Sequence, residues 1–330
     1  EKKKIINEKA FLLFWTLVIV TFVFVARFSI NYSEYSDMQG YVQLMQGEYR
    51  DGTKYKISYI QNILIEPIFW YLLYYSFYFI QNVELSQIFI DLICFALIYL
   101  SINNINKAQN TALNKNTSAR YLMFLIVVFV PILFCYQIAY RQLLGTAILM
   151  YSLSLFFNES VKRSYVAYFF SILTHNGSLF FAPLFFSKNI NYIKFLLIIV
   201  LGFVFLNLYT YYFGSRYVAN IGSAISYIYF AFTILISLIS QIIYQLGEKD
   251  AFLLRLKNIF FILFIIFFIG VVFLPSNQYE RLFFFSLPIY LILVSSFFDY
   301  YFKENIFLRI IIIVTSFLYL FIRYNSLLFI

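Results

Sequence analysis

The stretch YFFSILTHNGSLFFAPLFF, residues 168–186, holds the only histidine of the chain, His175, beside Asn176 and Gly177 in the middle of an otherwise apolar run. Basic residues bracket it, with Lys162 and Arg163 before and Lys188 after. Positive charge in short loops collects on one side of a membrane. For both brackets to lie on that side, the segment must run out and return, with its turn at Thr174-His175-Asn176-Gly177. Gly177 would make such a turn without a Cβ clash, and Asn176 would satisfy backbone groups freed there.

Composition supports a membrane setting. Hydrophobic residues make up 63% of the chain and charged residues 12%, with 31 Tyr and 44 Phe, which is too apolar for a soluble domain of this length. Apolar runs of roughly 17–23 residues, long enough to cross about 30 Å of hydrocarbon as helices, recur near 11–28, 61–80, 85–102, 120–137, 192–213, 223–245, 257–274, 280–298 and 306–322. With 142–157 and 165–186 they make about 11–12 hydrophobic segments. The fold expected is all-α, a polytopic integral membrane helical bundle forming one domain over 1–330, with a broken helix around His175. No repeat of fixed period and no Gly/Ser linker divides it. The apolar start lacks a small-residue cleavage site and reads as an uncleaved first span. The polar insert 29–60, rich in Tyr and mixed charge, reads as a surface loop on the extracytoplasmic side.

The net charge of +9 does not form a basic face for nucleic acid, because Lys and Arg sit singly or in small groups between apolar runs. By the positive-inside rule the N-terminal lysines, Lys107, Lys115, Lys162, Arg163, Lys188, Lys194, Lys249, Arg255, Lys257 and Lys303 are cytoplasmic. Arg141, Arg216, Arg281 and His175 then fall on the opposite side. This assignment needs a second irregularity upstream, because full spans at 61–80 and 85–102 would put Lys107 outside. The IEPIFW stretch, with Glu66 and Pro67 in an apolar run, is the candidate for a broken or re-entrant helix. Eleven straight helices are the alternative, and they place 103–120 and 158–164 outside. Cys94 and Cys135, the only cysteines, lie in apolar runs and read as buried hydrophobes.

Ionisable groups in apolar surroundings are expensive and mark candidate sites. Arg141 heads a helix, where snorkelling or anion binding would explain it. His175 reads either as a core histidine bonded to a carbonyl or as a functional group. Glu280 and Arg281 are adjacent, so on a helix they point about 100° apart and do not neutralise one another. Glu34 and Asp37 would share a face if helical. Three arginines and a histidine on one face suit a phosphorylated, lipid-linked substrate, since arginine binds phosphate through two parallel bonds. No cluster has metal-ligand spacing, and neither a P-loop nor a dinucleotide fingerprint occurs, so no metal and no cofactor is expected.

The block from Arg141 to Ser178, YRQLLGTAILMYSLSLFF, a short basic loop and then YFFSILTHNGSLFFAPLFF, resembles the EpsG-like polysaccharide polymerases, of the Wzy type that assembles O-antigen and capsule. The acidic, aromatic first loop followed by EPIFW, and QYERLFFFSLPIY near the end, are similar to features of the same group.

The resemblance implies a metal-independent glycosyltransferase, multi-pass in the bacterial inner membrane. It would join undecaprenyl-diphosphate-linked oligosaccharide repeat units by inverting transfer at the periplasmic face. Donor and acceptor would both be lipid-linked, with membrane lipid and a chain-length regulator and flippase of the same pathway as partners, and no nucleic acid. Arg141, Arg281 and Arg216 would bind the diphosphate. His175, with Glu66, Asp37 and Glu280 as rivals, would supply the base. Gln142, Asn176, Ser178 and Tyr279 would orient the sugars. A flippase or transporter of lipid-linked glycans, an O-antigen ligase and a polyprenyl-phosphate-sugar glycosyltransferase remain as alternatives.

Overall fold

The computed structural model describes residues 66–113, 140–213, 224–302 and 305–314, except 248, 275, 303 and 304, together with scattered positions between 10 and 21. For 140, 192, 205–213, 224–229, 276–278, 280, 281 and 284 it describes the backbone alone. Most of the expected span 11–28, the span 120–137, the 29–60 loop, Asp37, Arg216, Cys135, Lys115 and the side chains of Glu280 and Arg281 therefore lie outside what is described.

Among the described residues the protein is all-helical, with no strand. The helices are α1 (Pro67–Ile80), α2 (Val83–Leu113), α3 (Tyr140–Phe157), α4 (Val161–Thr174), a 3-10 segment (Asn176–Phe186), α5 (Tyr192–Phe213), α6 (Ala224–Leu246), α7 (Ala251–Phe273) and α8 (Ser276–Phe302). Val83–Ala112, Ala251–Phe273 and Phe285–Phe302 are long and apolar enough to cross a membrane, and shorter apolar helices accompany them.

Local chemistry sets the boundaries. α1 starts with Pro67, whose missing N–H is no loss in a first turn. It stops at Gln81, which adopts a left-handed conformation (φ 56°) and returns its N–H to Phe77 O at 2.8 Å. Asn82 Oδ1 accepts from Leu85 N–H at 2.8 Å and starts α2, and Asp250 Oδ1 accepts from Leu253 N–H at 2.8 Å and starts α7. Leu256, Ile259, Phe260, Ile262, Leu263 and Phe267 are all fully buried, so α7 packs one broad face into the bundle, while Phe268, Val272 and Phe273 stay exposed on the other.

Polar bonds at one end fix the chain direction. Arg255, buried on α7, donates to Phe156 O (3.2 Å) and Phe157 O (2.9 Å) at the end of α3, and also pairs with Glu159. Lys188 Nζ reaches the other Glu159 oxygen at 2.8 Å. Asn158 donates to Asn104 O and Asn258 to Ser187 O. Residues 104, 156–159, 187–188 and 255–258 thus share one end, with Lys107, Lys162 and Arg163 within a turn or so of it.

Two readings of the sequence are decided here. Because 159 and 188 meet, α4 and the 3-10 segment form a hairpin that leaves the Lys-rich end and returns to it. Eleven straight helices would have put Lys162 and Lys188 at opposite ends. Upstream, α2 from Val83 to Asn104 is about 32 Å long, so Val83 lies at the far end. Glu66 lies there too, against Arg141. Hence α1 begins and ends on the far side without crossing, which is the irregularity expected around Glu66-Pro67.

The physical cause of the break at His175 differs from the one expected. No described glycine has a positive φ. His175 itself makes the turn in extended conformation (φ −154°, ψ 119°), ending α4 by donating its N–H to Ser171 O at 2.9 Å. Its ring then satisfies a freed backbone group, accepting from Gly177 N–H, the task assigned from sequence to Asn176. The 11-residue 3-10 run that follows is long for its type, since runs beyond about 3–4 residues are uncommon. Three residues per turn aligns Ser178, Phe181, Leu184 and Ser187 in one fully buried stripe, and that packing holds the run in place.

Candidate functional site

At the end away from the Lys-rich loops, three chain segments converge on Glu66. Arg141 Nη1 lies 3.0 Å from Glu66 Oε2, and the backbone N–H of Asn176 donates to Glu66 Oε1 at 3.4 Å. His175 Nδ1 stands 3.7 Å from the same Oε1. The Glu66 side chain is 5% exposed and that of Arg141 34%, so the acid forms the floor and the arginine the opening. The Arg141 guanidinium also sits 5.8 Å from the centre of the Trp70 ring, one turn after Glu66 on α1.

Local folding explains why these groups meet. Glu66 precedes Pro67, which disfavours helix for the residue before it and leaves Glu66 outside α1 (φ −135°, ψ 62°). Arg141 lies in the first turn of α3 and His175 at the last of α4, so the antiparallel pair brings them to one level. α4 approaches α3 this closely only because residue 145 is glycine. A Cβ there would lie 2.7 Å from His175 Cβ and 3.4 Å from Phe285 Cε2.

Hydrogen bonds fasten the turn underneath. Ser171 Oγ donates to Gly145 O at 2.8 Å, and this uses its single proton. Ser178 Oγ, 2.7 Å away, therefore donates towards Ser171. Ser178 N–H donates to His175 O, and Tyr168 Oη to Ser178 O, both at 3.0 Å. The His175 ring lies 5.3 Å from that of Phe285, which stacks on Phe181 at 5.4 Å. Thr146 Oγ1 donates to Phe285 O at 3.0 Å, beside the gap that Pro288 makes in the α8 ladder.

One consequence for the histidine follows from its 2.9 Å bond with Gly177 N–H. A nitrogen that accepts a hydrogen bond carries no proton, so the neutral His175 ring holds its proton on Nε2. In this geometry the neutral ring is a donor through Nε2.

Of the residues singled out from sequence, Glu66, Arg141, His175 and Asn176 come together. Gln142 is half-buried beside Arg141 on α3. Ser178 is fully buried and bonded within the hairpin, and Tyr279 is buried against Phe267 and beneath Gly270. Glu280 and Arg281 belong to α8, one turn before Phe285, which faces His175. Trp70, Gly145, Ser171 and Phe285 escaped the sequence reading as parts of the site. Ser171 carried a signal, a small polar residue four before His175 and so on the same helical face.

No curated protein and no solved structure matches the chain. The EpsG family matches residues 12–328, almost the whole length, and the chain belongs to that family, which points to a glycosyltransferase-like polysaccharide polymerase of the membrane.

Proposed function

We propose that the protein is a multi-pass polymerase of the bacterial inner membrane that joins undecaprenyl-diphosphate-linked oligosaccharide repeat units at the periplasmic face. The observation that carries this reading is Arg141, part-exposed and held by Glu66 beside His175 at the end opposite the Lys-rich loops. In the inverting transfer, the bond from the donor's anomeric carbon to its diphosphate breaks as the acceptor hydroxyl oxygen attacks from the other side. The hydroxyl proton goes to a base, and charge grows on the departing lipid diphosphate.

A guanidinium pre-oriented on a buried carboxylate suits that growing charge, because it needs little reorganisation when the charge appears. Arg281 and Arg216 are the further candidates to hold the diphosphate. His175, with its proton on Nε2, would donate a hydrogen bond to a phosphate or sugar oxygen. For it to act as the base instead, the Gly177 bond must open. The carboxylates Glu66, Asp37 and Glu280 are the other candidates to take the proton, with Gln142 and Asn176 orienting sugars. Measured along α4, His175 is about 21 Å from the Lys-rich end, short of the roughly 30 Å of hydrocarbon. The diphosphate would be met in a recess below the far membrane surface.

The test is the glycan profile of a deletion strain. A polymerase leaves single repeat units on the lipid anchor when removed, and the gene restores long chains. Long polymer in the deletion strain would reject this reading, as would no periplasmic repeat unit at all, which is the mark of a flippase. In this pathway the flippase and a chain-length regulator would be functional partners.

A further inference from the structure

At the opposite end of the bundle, between α6 and α7, is a cavity of about 350 Å³ lined by Ile190, Ser237, Leu238, Gln241, Lys257 and Phe261, with Ile234 and Phe264 beyond. That volume falls in the range of small-ligand pockets, about 300–1,000 Å³. Polarity is graded along it. α6 descends towards the Lys-rich end and α7 rises from it, so Gln241, Lys257 and Asn258 lie at the lower part of the groove. Ile234, Leu238, Phe261 and Phe264 line the part nearer the middle of the bundle. Leu238 is exposed on the rim, so the groove opens sideways.

Of the polar lining, Asn258 is bonded to Ser187 O. Among the described residues, the Ser237 hydroxyl, the Gln241 amide and the Lys257 ammonium make no hydrogen bond or ion pair. Ser237 is 5% exposed, and the Lys257 ammonium rests 4.3 Å from the centre of the Tyr244 ring. A hydroxyl as buried as that of Ser237 is costly in apolar surroundings unless a ligand or water bonds it, and the part-exposed Gln241 and Lys257 leave donors facing the groove. A cation and an amide at the membrane-surface end, with an apolar trough running from them towards the middle of the bundle, match an anionic head joined to a hydrocarbon tail.

We propose that the α6–α7 groove binds one anionic phospholipid, its phosphate on Lys257 and Gln241 and the start of one acyl chain along Leu238, Phe261, Ile234 and Phe264. The site is separate from the one around Glu66, and its occupancy would brace α6 against α7 at the surface end.

Native mass spectrometry of the purified full-length chain, with phosphatidylglycerol or phosphatidylcholine added in equal amounts, tests this. One phosphatidylglycerol should be retained in preference to phosphatidylcholine. Lys257→Gln should weaken retention about fivefold, the share one lysine contributes at a lipid surface. Leu238→Trp, on the exposed rim and so harmless to folding, should block the trough and also reduce retention. Lys162→Gln removes a charge from the same end outside the groove and should change nothing. Equal retention of the two lipids, an unaffected Lys257→Gln protein, or an equal loss in Lys162→Gln would each overturn the proposal. Displacement by glycerol phosphate would do so too, because it would make the site one for free phosphate.

Discussion

Arg141 and Glu66, 75 positions apart in sequence, join across α3 and the start of α1 through a 3.0 Å contact between Nη1 and Oε2. Glu66→Gln leaves the guanidinium without its anion, and Arg141→Gln leaves the buried Glu66 side chain without its cation. Each should lower the melting temperature in detergent. The double variant should lose less than the sum of the two, by about 0.5–3 kcal/mol of coupling. Additive losses would mean the pair is coincidental.

Arg141→Lys keeps the charge and removes the fork. Losing a two-bond contact to phosphate costs roughly 1.5–3 kcal/mol, so polymer formed on purified lipid-linked units should fall by about 10–150-fold while the protein accumulates in membranes normally. Wild-type turnover in this variant would leave Arg141 as a partner of Glu66 alone.

Gly145→Ala has a testable sign. Alanine in place of a helical glycine ordinarily stabilises by about 0.5–1 kcal/mol. Here the added Cβ would meet His175 Cβ at 2.7 Å, with the Phe285 ring behind it. The melting temperature should fall by the equivalent of about 1–3 kcal/mol, with a larger loss of polymer as the His175 turn is pushed away. A more stable, active variant would show that α3 and α4 separate freely.

His175 is the only histidine, so one sample labelled with 15N-histidine reports a single ring. Its neutral form should show the proton on Nε2 and an unprotonated, hydrogen-bonded Nδ1. A proton on Nδ1 would contradict the Gly177 contact and return His175 to the role of base through Nε2.

The hairpin predicts accessibility. In a chain lacking Cys94 and Cys135, single cysteines replacing Lys107, Ser160 or Lys188 should react with an impermeant thiol reagent from the same side of oriented membranes. One replacing Asn176 should not react from that side. Reaction at 160 and 188 from opposite sides would restore a straight span.

The break at residue 175 was legible because a lone histidine, an asparagine and a glycine interrupt apolar sequence between basic brackets. Its cause was not legible. Glycine next to a break suggests a left-handed turn, whereas the ring of His175 supplies the acceptor and Gly177 only the close approach. The Glu66–Arg141 contact was also hidden, since no periodicity connects residues on different elements. Arg255 misled in another way. By position it reads as a loop charge that orients the chain, yet it is buried and closes the last carbonyls of α3 while pairing with Glu159.

Two limbs of different helical type return the chain from Glu159 to Lys188. α4 contributes 14 residues and the 3-10 segment 11, or about 21 Å at 1.5 Å per residue and about 22 Å at 2.0 Å per residue. The hairpin is thereby a ruler with matched arms. One residue removed from the second arm shortens it by about 2 Å and turns everything beyond it by about 120°. Ser187 and Lys188 would swing away from Asn258 and Glu159. Length variation among functional descendants of this chain should therefore spare 161–187 and accumulate outside it, even where the amino acids within it change.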